Sequence, residues 1–437
     1  MLLKRRKNNL KSKKRFWLTL TVFSLIGQIA WVIENMYLNV FIYNQFKATP
    51  SDISLMVAAS AVTATLTTVI IGAYSDKVGK RKIFMAGGYI AWGLSIMSFA
   101  LINNGVLNSF FPTLSAASLG VSLTIIVDCV MTFFGSSAND AAFNAWLTDE
   151  TSDGNRGAAE GVNAIMPLIA MLAVFGGFMA FDLEKSSSWT TIFLIIGIAV
   201  FIIGILGLFL IKESAARREE NSKYFANIIY GFRPSVIRKN GSLYITLIGF
   251  ALFGISIQVF MPYLIIYYTE TLKMDNYVLI MAPAIIVAAV ASVLYGRLYD
   301  RFGYRKVIFP AVITLAIGYI IMCFATATAP VFIGSLLVMV GYLCGNAVFG
   351  AMLRDKTPEG KAGMFQGLRI VCQVLIPGVI GPAIGAKVLE NATEIVNSDG
   401  TKSFLPDERI FIWALIVSAV LALYLILTNL KKDKKNV

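Results

Sequence analysis

Gly72-Ala-Tyr-Ser-Asp76-Lys-Val-Gly79-Lys-Arg81-Lys82 is one of two stretches that decide the fold, and the other reads Gly296-Arg-Leu-Tyr-Asp300-Arg-Phe-Gly303-Tyr-Arg305-Lys306. Both follow the pattern G-x-x-x-D-x-x-G-x-R-K, and each of the five shared residues recurs after 224 positions. Self-similarity at one fixed distance is the mark of a duplicated structural unit. The chain is therefore predicted to consist of two related halves.

The segments around the two copies are long and apolar. The chain of 437 residues is 57% hydrophobic and 14% charged, whereas a soluble protein carries about 25% charged residues. Its apolar residues form runs of about twenty or more, the length at which a helix crosses about 30 Å of hydrocarbon. Twelve such runs occur, at 16–43, 53–75, 83–103, 117–146, 159–181, 190–211, 242–268, 277–299, 307–327, 330–353, 363–388 and 409–430. The sequence therefore predicts an all-α membrane protein with twelve transmembrane helices.

The basic residues predict which helix ends face the cytoplasm. Of the 38 lysines and arginines, 31 lie in the tails and one set of alternating loops, and 5 lie in the opposite loops. Short cytoplasmic loops retain positive charge, so both termini are predicted to be cytoplasmic in a multi-pass protein of the cytoplasmic (inner) membrane. The net charge of +13 is spread over short loops, and without a basic domain we expect no nucleic acid partner.

A long polar stretch separates the two halves. We expect an N-terminal six-helix bundle over 1–212, a cytoplasmic linker over 213–241 and a C-terminal six-helix bundle over 242–437. Within the linker, the stretch from Tyr224 to Ile237 mixes apolar residues with Arg233. It either lies on the membrane surface or is a simple linker.

The paired motif resembles that of the major facilitator superfamily, whose loop between helices 2 and 3 carries this glycine, aspartate and basic pattern and repeats it between helices 8 and 9. The resemblance covers nearly the whole chain and implies a transporter, not an enzyme, with two pseudo-symmetric six-helix bundles. More narrowly, Gln28 to Asn35 and the acidic stretch from Asp128 to Asp140 resemble the glycoside, pentoside and hexuronide cation symporters and sucrose-transporter-like proteins.

The resemblance also implies a conformational latch at the cytoplasmic helix ends, which holds the halves in one state and loosens as they rock. Its residues would be Gly72, Asp76, Gly79, Arg81, Asp149, Arg156 and Glu160 in the first half, and Gly296, Asp300, Gly303 and Arg305 in the second. The alternative is ordinary positive-inside topology with a charge pair at a helix end. For Asp149, Arg156 and Glu160 the alternative is solvated loop charge.

Acidic residues inside predicted spans are candidates for ion coupling, because charge in hydrocarbon is costly and usually serves a function. Asp128 lies near the middle of the fourth span, on one face with Thr124, Gly135 and Asn139. Its alternative role is a protonated acid that bonds a neighbouring helix. Since the chain has no histidine, proton coupling falls to Asp128 or Glu34.

The first span carries amides beside an indole, a combination that suits a saccharide. An aromatic face covers the apolar face of a pyranose, while amides and carboxylates bond its hydroxyls. The candidate substrate contacts are Gln28, Trp31, Glu34, Asn35, Asp128, Gln258, Asn346 and Gln373. Such amides also bond neighbouring helices in membrane proteins, which is the alternative reading.

These residues predict a secondary active transporter that moves a sugar or glycoside by alternating access with proton symport. Its partners would be a small-molecule substrate, the proton and the lipid bilayer, with no cofactor and no metal site. Sodium is the alternative co-ion, although the second span lacks the acidic residues of sodium-coupled melibiose-type symporters. The alternative function is an exporter or flippase of amphipathic drugs or lipids.

Overall fold

The computed structural model describes residues 2–151, 155–212, 230–274, 276–358, 362–397 and 400–433. Among these residues, twelve helical segments are long and apolar enough to cross a membrane. They are numbered here as spans 1 to 12: Lys14–Phe46, Pro50–Gly72, Ile83–Leu101, Ala116–Glu150, Gly157–Phe178, Ser186–Leu210, Gly241–Thr271, Tyr277–Phe302, Tyr304–Phe324, Thr328–Lys356, Gly367–Leu389 and Arg409–Thr428. The predicted number and order of spans are confirmed.

The spans are built from α-helices joined by shorter turns. The first nine helices are α1 (Leu2–Val32), α2 (Leu38–Phe46), α3 (Pro50–Val78), α4 (Gly88–Ser98), α5 (Asn104–Phe110), α6 (Ala116–Gly135), α7 (Asn144–Glu150), α8 (Arg156–Phe178) and α9 (Ser186–Leu210). The later helices are α10 (Pro234–Lys239), α11 (Gly241–Phe260), α12 (Leu264–Ile266), α13 (Tyr277–Phe302), α14 (Tyr304–Phe324), α15 (Thr328–Lys356), α16 (Ala362–Ile370), α17 (Ile376–Leu389) and α18 (Arg409–Asp433).

In the described parts of the chain, wider π-helical turns occur in five spans, which an uninterrupted helical periodicity does not predict. They are Ile33–Tyr37, Ile83–Gly87, Ser136–Phe143, Tyr267–Thr271 and Val371–Leu375. Each such turn accommodates an extra residue and rotates the following side chains about the helix axis. Turns of this kind are often found at functional sites.

A small β-hairpin lies between spans 11 and 12. Strand β1 (Glu394–Val396) pairs antiparallel with β2 (Lys402–Phe404). The connection includes Gly400 at a φ of 80°, a left-handed conformation that glycine adopts without steric cost. Because the hairpin lies between two spans, it is an extramembrane addition to a helical fold. The sequence analysis did not predict it.

By their packing, the residues divide into two compact units. Unit 1 comprises Met1–Phe46 and Leu66–Ser222, and unit 2 comprises Lys47–Thr65 and Lys223–Val437. The division falls inside α3, whose first part packs within unit 2. There the hydroxyl of Tyr263 donates to the carbonyl of Pro50 at 3.0 Å. The predicted linker, 213–241, lies outside the described residues as far as 229, and its remainder belongs to unit 2.

The two copies of the repeated motif form the same turn. Gly79 has a φ of 68° and Gly303 a φ of 71°, and each follows the last residue of a long helix, α3 or α13. A side chain at either position would strain the backbone, because residues with a Cβ rarely adopt this conformation. The glycine that the pattern requires is thus explained by the turn.

Spans 3 and 6 approach closely through glycine. A Cβ added at Gly93 would lie 2.5 Å from the backbone nitrogen of Phe201 and 2.6 Å from the carbonyl oxygen of Gly197. Backbone atoms on a packed helix cannot move aside cheaply, so the two helices would have to separate. Small residues at such crossings are typical of helix packing in membranes.

We therefore expect Gly93→Ala to lower the stability of unit 1 by about 1–3 kcal/mol, the usual cost of overpacking. Thermal unfolding of the purified full-length protein in detergent measures this change. Gly176→Ala is the matched control, because a Cβ there meets no atom within 4 Å. Equal melting temperatures for the two variants would contradict the packing described.

Candidate functional site

Spans 1 and 4 run antiparallel within unit 1 and bring the predicted acidic residues together. Four close contacts fix their register: Gly27 with Asn139, Trp31 with Gly135, Glu34 with Thr132, and Phe46 with Gly120. Each step forward in span 1 matches a step backward in span 4. This register places Asp128 opposite Leu38 and Asn39.

Two acidic side chains of this helix pair, Glu34 and Asp128, are buried. Glu34 is 7% exposed and Asp128 is 2% exposed. The hydroxyl of Thr132 donates to Oε1 of Glu34 at 2.8 Å, and Thr132 lies one helical turn after Asp128, on the same face of span 4. Glu34 and Asp128 therefore belong to one buried polar cluster. Acids buried within membrane spans usually serve ion coupling, so the cluster is a candidate site for a proton or a small cation.

The π-helical turn Ile33–Tyr37 lies where span 1 meets this cluster. Glu34, expected on the flank of the polar face, points into unit 1. Asn35 is exposed, and its amide donates to the carbonyl of Trp31 at 2.8 Å. Asn39 is fully buried, and its amide nitrogen donates to the carbonyl of Asn35 at 3.2 Å. In this part of span 1, Glu34 is thus buried and Asn35 is exposed.

Aromatic rings adjoin the cluster at the level of Gly135. The Trp31 and Trp92 ring centroids lie 5.1 Å apart, and those of Tyr89 and Trp92 lie 5.3 Å apart. A Cβ on Gly135 would come within 2.8 Å of the Trp92 ring, so this glycine makes room for the two indoles. Trp92 is fully buried while Trp31 and Gln28 are partly exposed. Because the buried Trp92 ring packs against it, the Trp31 indole presents a well-supported aromatic surface.

The sequence analysis missed Thr132, Tyr89 and Trp92. Thr132 follows Asp128 by four residues, so the helical spacing could have revealed it. Tyr89 and Trp92 lie in an apolar span without charged residues, where an aromatic side chain is indistinguishable from ordinary core. The hydroxyl of Tyr89 donates to the carbonyl of Phe23 at 2.7 Å, which fixes the ring against span 1.

The candidate residues of unit 2 are partly buried but do not form one cluster. A Cβ on Gly381 would lie 2.4 Å from the Cβ of Gln258, which sets the register of spans 7 and 11. Because these spans run parallel and Gln373 precedes Gly381 by eight residues, it lies about 12 Å from Gln258 along the helix axis. Asn346 is partly buried in span 10.

The first copy of the motif forms a connected polar network. Arg81 is 7% exposed. Its Nη1 donates to the hydroxyl of Ser75 at 2.8 Å, and its Nε donates to Oδ2 of Asp149 at 3.1 Å. Glu160 is exposed, and a Cβ on Gly72 would reach Ala141 at 3.8 Å. The side chains of Asp76 and Arg156 lie outside the described residues.

The second copy of the motif forms different side-chain contacts. Tyr299 occupies the position of Ser75, 224 residues later, and Asp355 follows Asp149 by 206 residues. The hydroxyl of Tyr299 donates directly to the carboxylate of Asp355, whereas Asp300 and Arg305 are exposed. The longer phenol spans the distance that the Arg81 guanidinium spans in the first copy. Around Gly296, an added Cβ would meet no atom within 4 Å.

Comparison with known proteins agrees with this architecture. The model of the Major Facilitator Superfamily matches residues 17–382 and 279–436. The chain belongs to the major facilitator superfamily. As a member it is a multi-pass membrane transporter of a small molecule and not an enzyme, as predicted. Among the described residues, no group of three or more histidine, cysteine, aspartate or glutamate side chains could hold a metal ion.

Solved structures of other transporters share the fold of this superfamily member. The nucleoside transporter NupG is 14% identical with a TM-score of 0.72, and the match covers 94% of this chain and 98% of that one. A D-xylose-proton symporter is 16% identical with a TM-score of 0.68, covering 94% and 96%. A bacterial homologue of the human lysosomal transporter Spinster is 14% identical with a TM-score of 0.67, covering 94% and 96%. At these identities the likeness shows the fold alone.

Proposed function

We propose that this major facilitator is a secondary active transporter of a sugar or glycoside, working by alternating access with proton symport. The observation that carries the proposal is the hydrogen bond from Thr132 to Glu34, one helical turn from Asp128. It places Glu34 against span 4 one helical turn from Asp128, and acids inside membrane spans typically form proton relays in transporters. Asp128 and Glu34 are the proposed proton-binding groups.

The side chains near this cluster support a saccharide as the substrate. Trp31 offers a partly exposed indole backed by Trp92, and indole faces cover the apolar face of a sugar ring. Gln28 and Asn35 supply amide groups on the same span. Gln258, Asn346 and Gln373 are the proposed contacts of unit 2. NupG and the D-xylose-proton symporter are named for nucleosides and a pentose, both of which contain a sugar.

We further infer membership of the glycoside, pentoside and hexuronide symporter or sucrose-transporter-like branch, on the strength of the acidic stretch in span 4. Both termini are proposed to lie in the cytoplasm, because the tails hold most of their charge as lysine and arginine. The Arg81 network with Ser75 and Asp149 is the proposed latch of the first half. In the second half, the contact between Tyr299 and Asp355 takes the corresponding place.

A second candidate function is export of amphipathic drugs or lipids, which one feature of unit 1 favours. An apolar pocket of about 160 Å³ lies among spans 1, 5 and 6, lined by Ile29, Val174, Phe178, Ile192 and neighbouring apolar residues. A pocket with this lining suits an alkyl chain better than a sugar. Its apolar lining differs from the acidic cluster of Glu34 and Asp128.

Uptake into proteoliposomes distinguishes the two functions. A panel of labelled monosaccharides, disaccharides and glucuronides is offered to the reconstituted protein with the lumen alkaline relative to the medium. We expect at least one saccharide to accumulate and a protonophore to abolish that accumulation. Transport of amphipathic dyes without accumulation of any saccharide would overturn the proposal in favour of export.

Thr132→Val tests the role of the hydrogen bond to Glu34. Valine has nearly the shape of threonine but cannot donate, so Glu34 loses one buried hydrogen bond, at a cost of about 1–3 kcal/mol. We expect the pH at which saccharide uptake is half-maximal to shift, with the maximal rate less affected. Thr124→Val is the control, since its hydroxyl donates to the carbonyl of Gly120 in its own helix. Equal pH profiles for both variants would contradict this role.

A further inference from the structure

The segment from Tyr230 to Lys239 precedes span 7 and is folded onto unit 2. It consists of a 3-10 turn, Tyr230–Phe232, followed by α10. The hydroxyl of Tyr244 donates to the carbonyl of Gly231, and the rings of Tyr230 and Phe365 meet at 5.9 Å. This 230–239 segment is therefore a fixed structural element and not a simple linker.

Packing fixes one face of the 230–239 segment and leaves the other exposed. Val236 is buried in an apolar cluster with Leu243 and Leu368. On the outer side, Phe232 is 45% exposed and Ile237 is 40% exposed. These two side chains thus present apolar surface immediately before Gly241, where span 7 begins.

The exposed face is also basic. Arg233, Arg238 and Lys239 are all exposed, and no acidic residue occurs from Tyr230 to Ser242. Exposed apolar side chains next to positive charge are the features that place a short segment in the membrane interface. Anionic lipid headgroups attract such juxtamembrane basic residues.

We propose that the 230–239 segment binds the headgroups of anionic phospholipids, with Phe232 and Ile237 inserted at the acyl boundary. Arg233, Arg238 and Lys239 pair with lipid phosphates. A lipid surface fits better than a soluble protein, because the segment adjoins the end of a membrane span and combines both kinds of contact. Docked to α11 and α16, the segment fixes the membrane depth of unit 2 at this end.

Photocrosslinking in the full-length protein tests this proposal. Benzoylphenylalanine replaces Phe232, and the protein is placed in nanodiscs of equimolar phosphatidylglycerol and phosphatidylcholine. After irradiation, mass spectrometry measures the two lipid adducts. We expect phosphatidylglycerol adducts to exceed phosphatidylcholine adducts by about fivefold or more, the preference that one near-surface basic residue provides. High salt in the same sample is expected to reduce the preference.

Two triple variants complete the test. Replacing Arg233, Arg238 and Lys239 by Gln is expected to bring the adduct ratio to about 1. The matched control replaces Lys77, Lys80 and Lys212, which are exposed basic residues of unit 1, and should keep the preference. The absence of lipid adducts at position 232 would overturn the proposal, as would a ratio that neither salt nor the first triple variant changes. If that variant does not fold, the salt dependence of the adduct ratio in the protein with Arg233, Arg238 and Lys239 intact tests the proposal.

Discussion

Asp128→Asn is expected to abolish accumulation of the substrate while leaving exchange of labelled for unlabelled substrate intact. Asparagine has the size of aspartate, so it fits a site that is 2% exposed, but it cannot take up and release a proton. A driving force of 100 mV on one coupled proton supplies about 2.3 kcal/mol, or about 40-fold accumulation. The variant should lose this whole factor, because its transport is no longer coupled to the proton. Exchange should persist, because downhill movement of substrate does not require the coupled proton.

The measurement is uptake of the labelled saccharide into proteoliposomes under an imposed proton gradient, with counterflow measured in the same preparation. Asp182→Asn serves as the control, because Asp182 lies outside the spans and pairs with Lys185 at 3.0 Å. The hydrogen bond from Lys185 holds the pKa of the Asp182 carboxyl below its usual range, so this group stays ionised at neutral pH. Unchanged accumulation in Asp128→Asn would remove Asp128 from proton coupling.

The second large effect is expected from Arg81→Gln, which should lower the transport rate about tenfold or more. Glutamine cannot replace both the contact to Ser75 and the ion pair with Asp149. Losing hydrogen bonds to a largely buried charge costs about 1.5–3 kcal/mol. A conformational equilibrium moves by a factor of ten for each 1.4 kcal/mol, so the proposed latch would no longer hold its state.

Arg305→Gln is the matched control, because the same motif position in unit 2 is exposed. We expect its transport rate to stay within about twofold of the unmodified protein, in line with the small contribution of exposed charges. Tyr299→Phe should instead reproduce the loss, since it removes the bond to Asp355. Initial rates at equal amounts of reconstituted protein provide the comparison. Equal losses for the two arginine variants would show that both motif copies act alike.

The architecture could be read from the sequence because it follows from length and hydropathy. Twelve apolar runs become twelve spans, since backbone polar groups in hydrocarbon must bond within a helix. The motif glycines were equally readable, because a required left-handed turn excludes other residues. Gly79 and Gly303 adopt it at nearly the same φ.

The side-chain contacts of the site could not be predicted from the sequence in the same way. A 3.6-residue period places Glu34 and Asn35, three and four residues after Trp31, on either side of the same face, and the π-helical turn Ile33–Tyr37 lies at this point of the helix. Such a turn depends on packing against other helices and leaves no periodic signal in the sequence. Likewise, the second motif copy has Tyr299 at the position that Ser75 holds in the first. This one difference changes which side chain contacts the aspartate of each copy.

In the proposed mechanism, a saccharide and a proton move together through the cluster of Asp128 and Glu34. The most direct test records the external pH of right-side-out vesicles when each saccharide of the panel is added, with the unmodified protein and with Asp128→Asn. Proton symport predicts a saccharide-specific rise in external pH that the variant loses. No pH change with any saccharide, in a preparation shown to transport one, would contradict proton coupling.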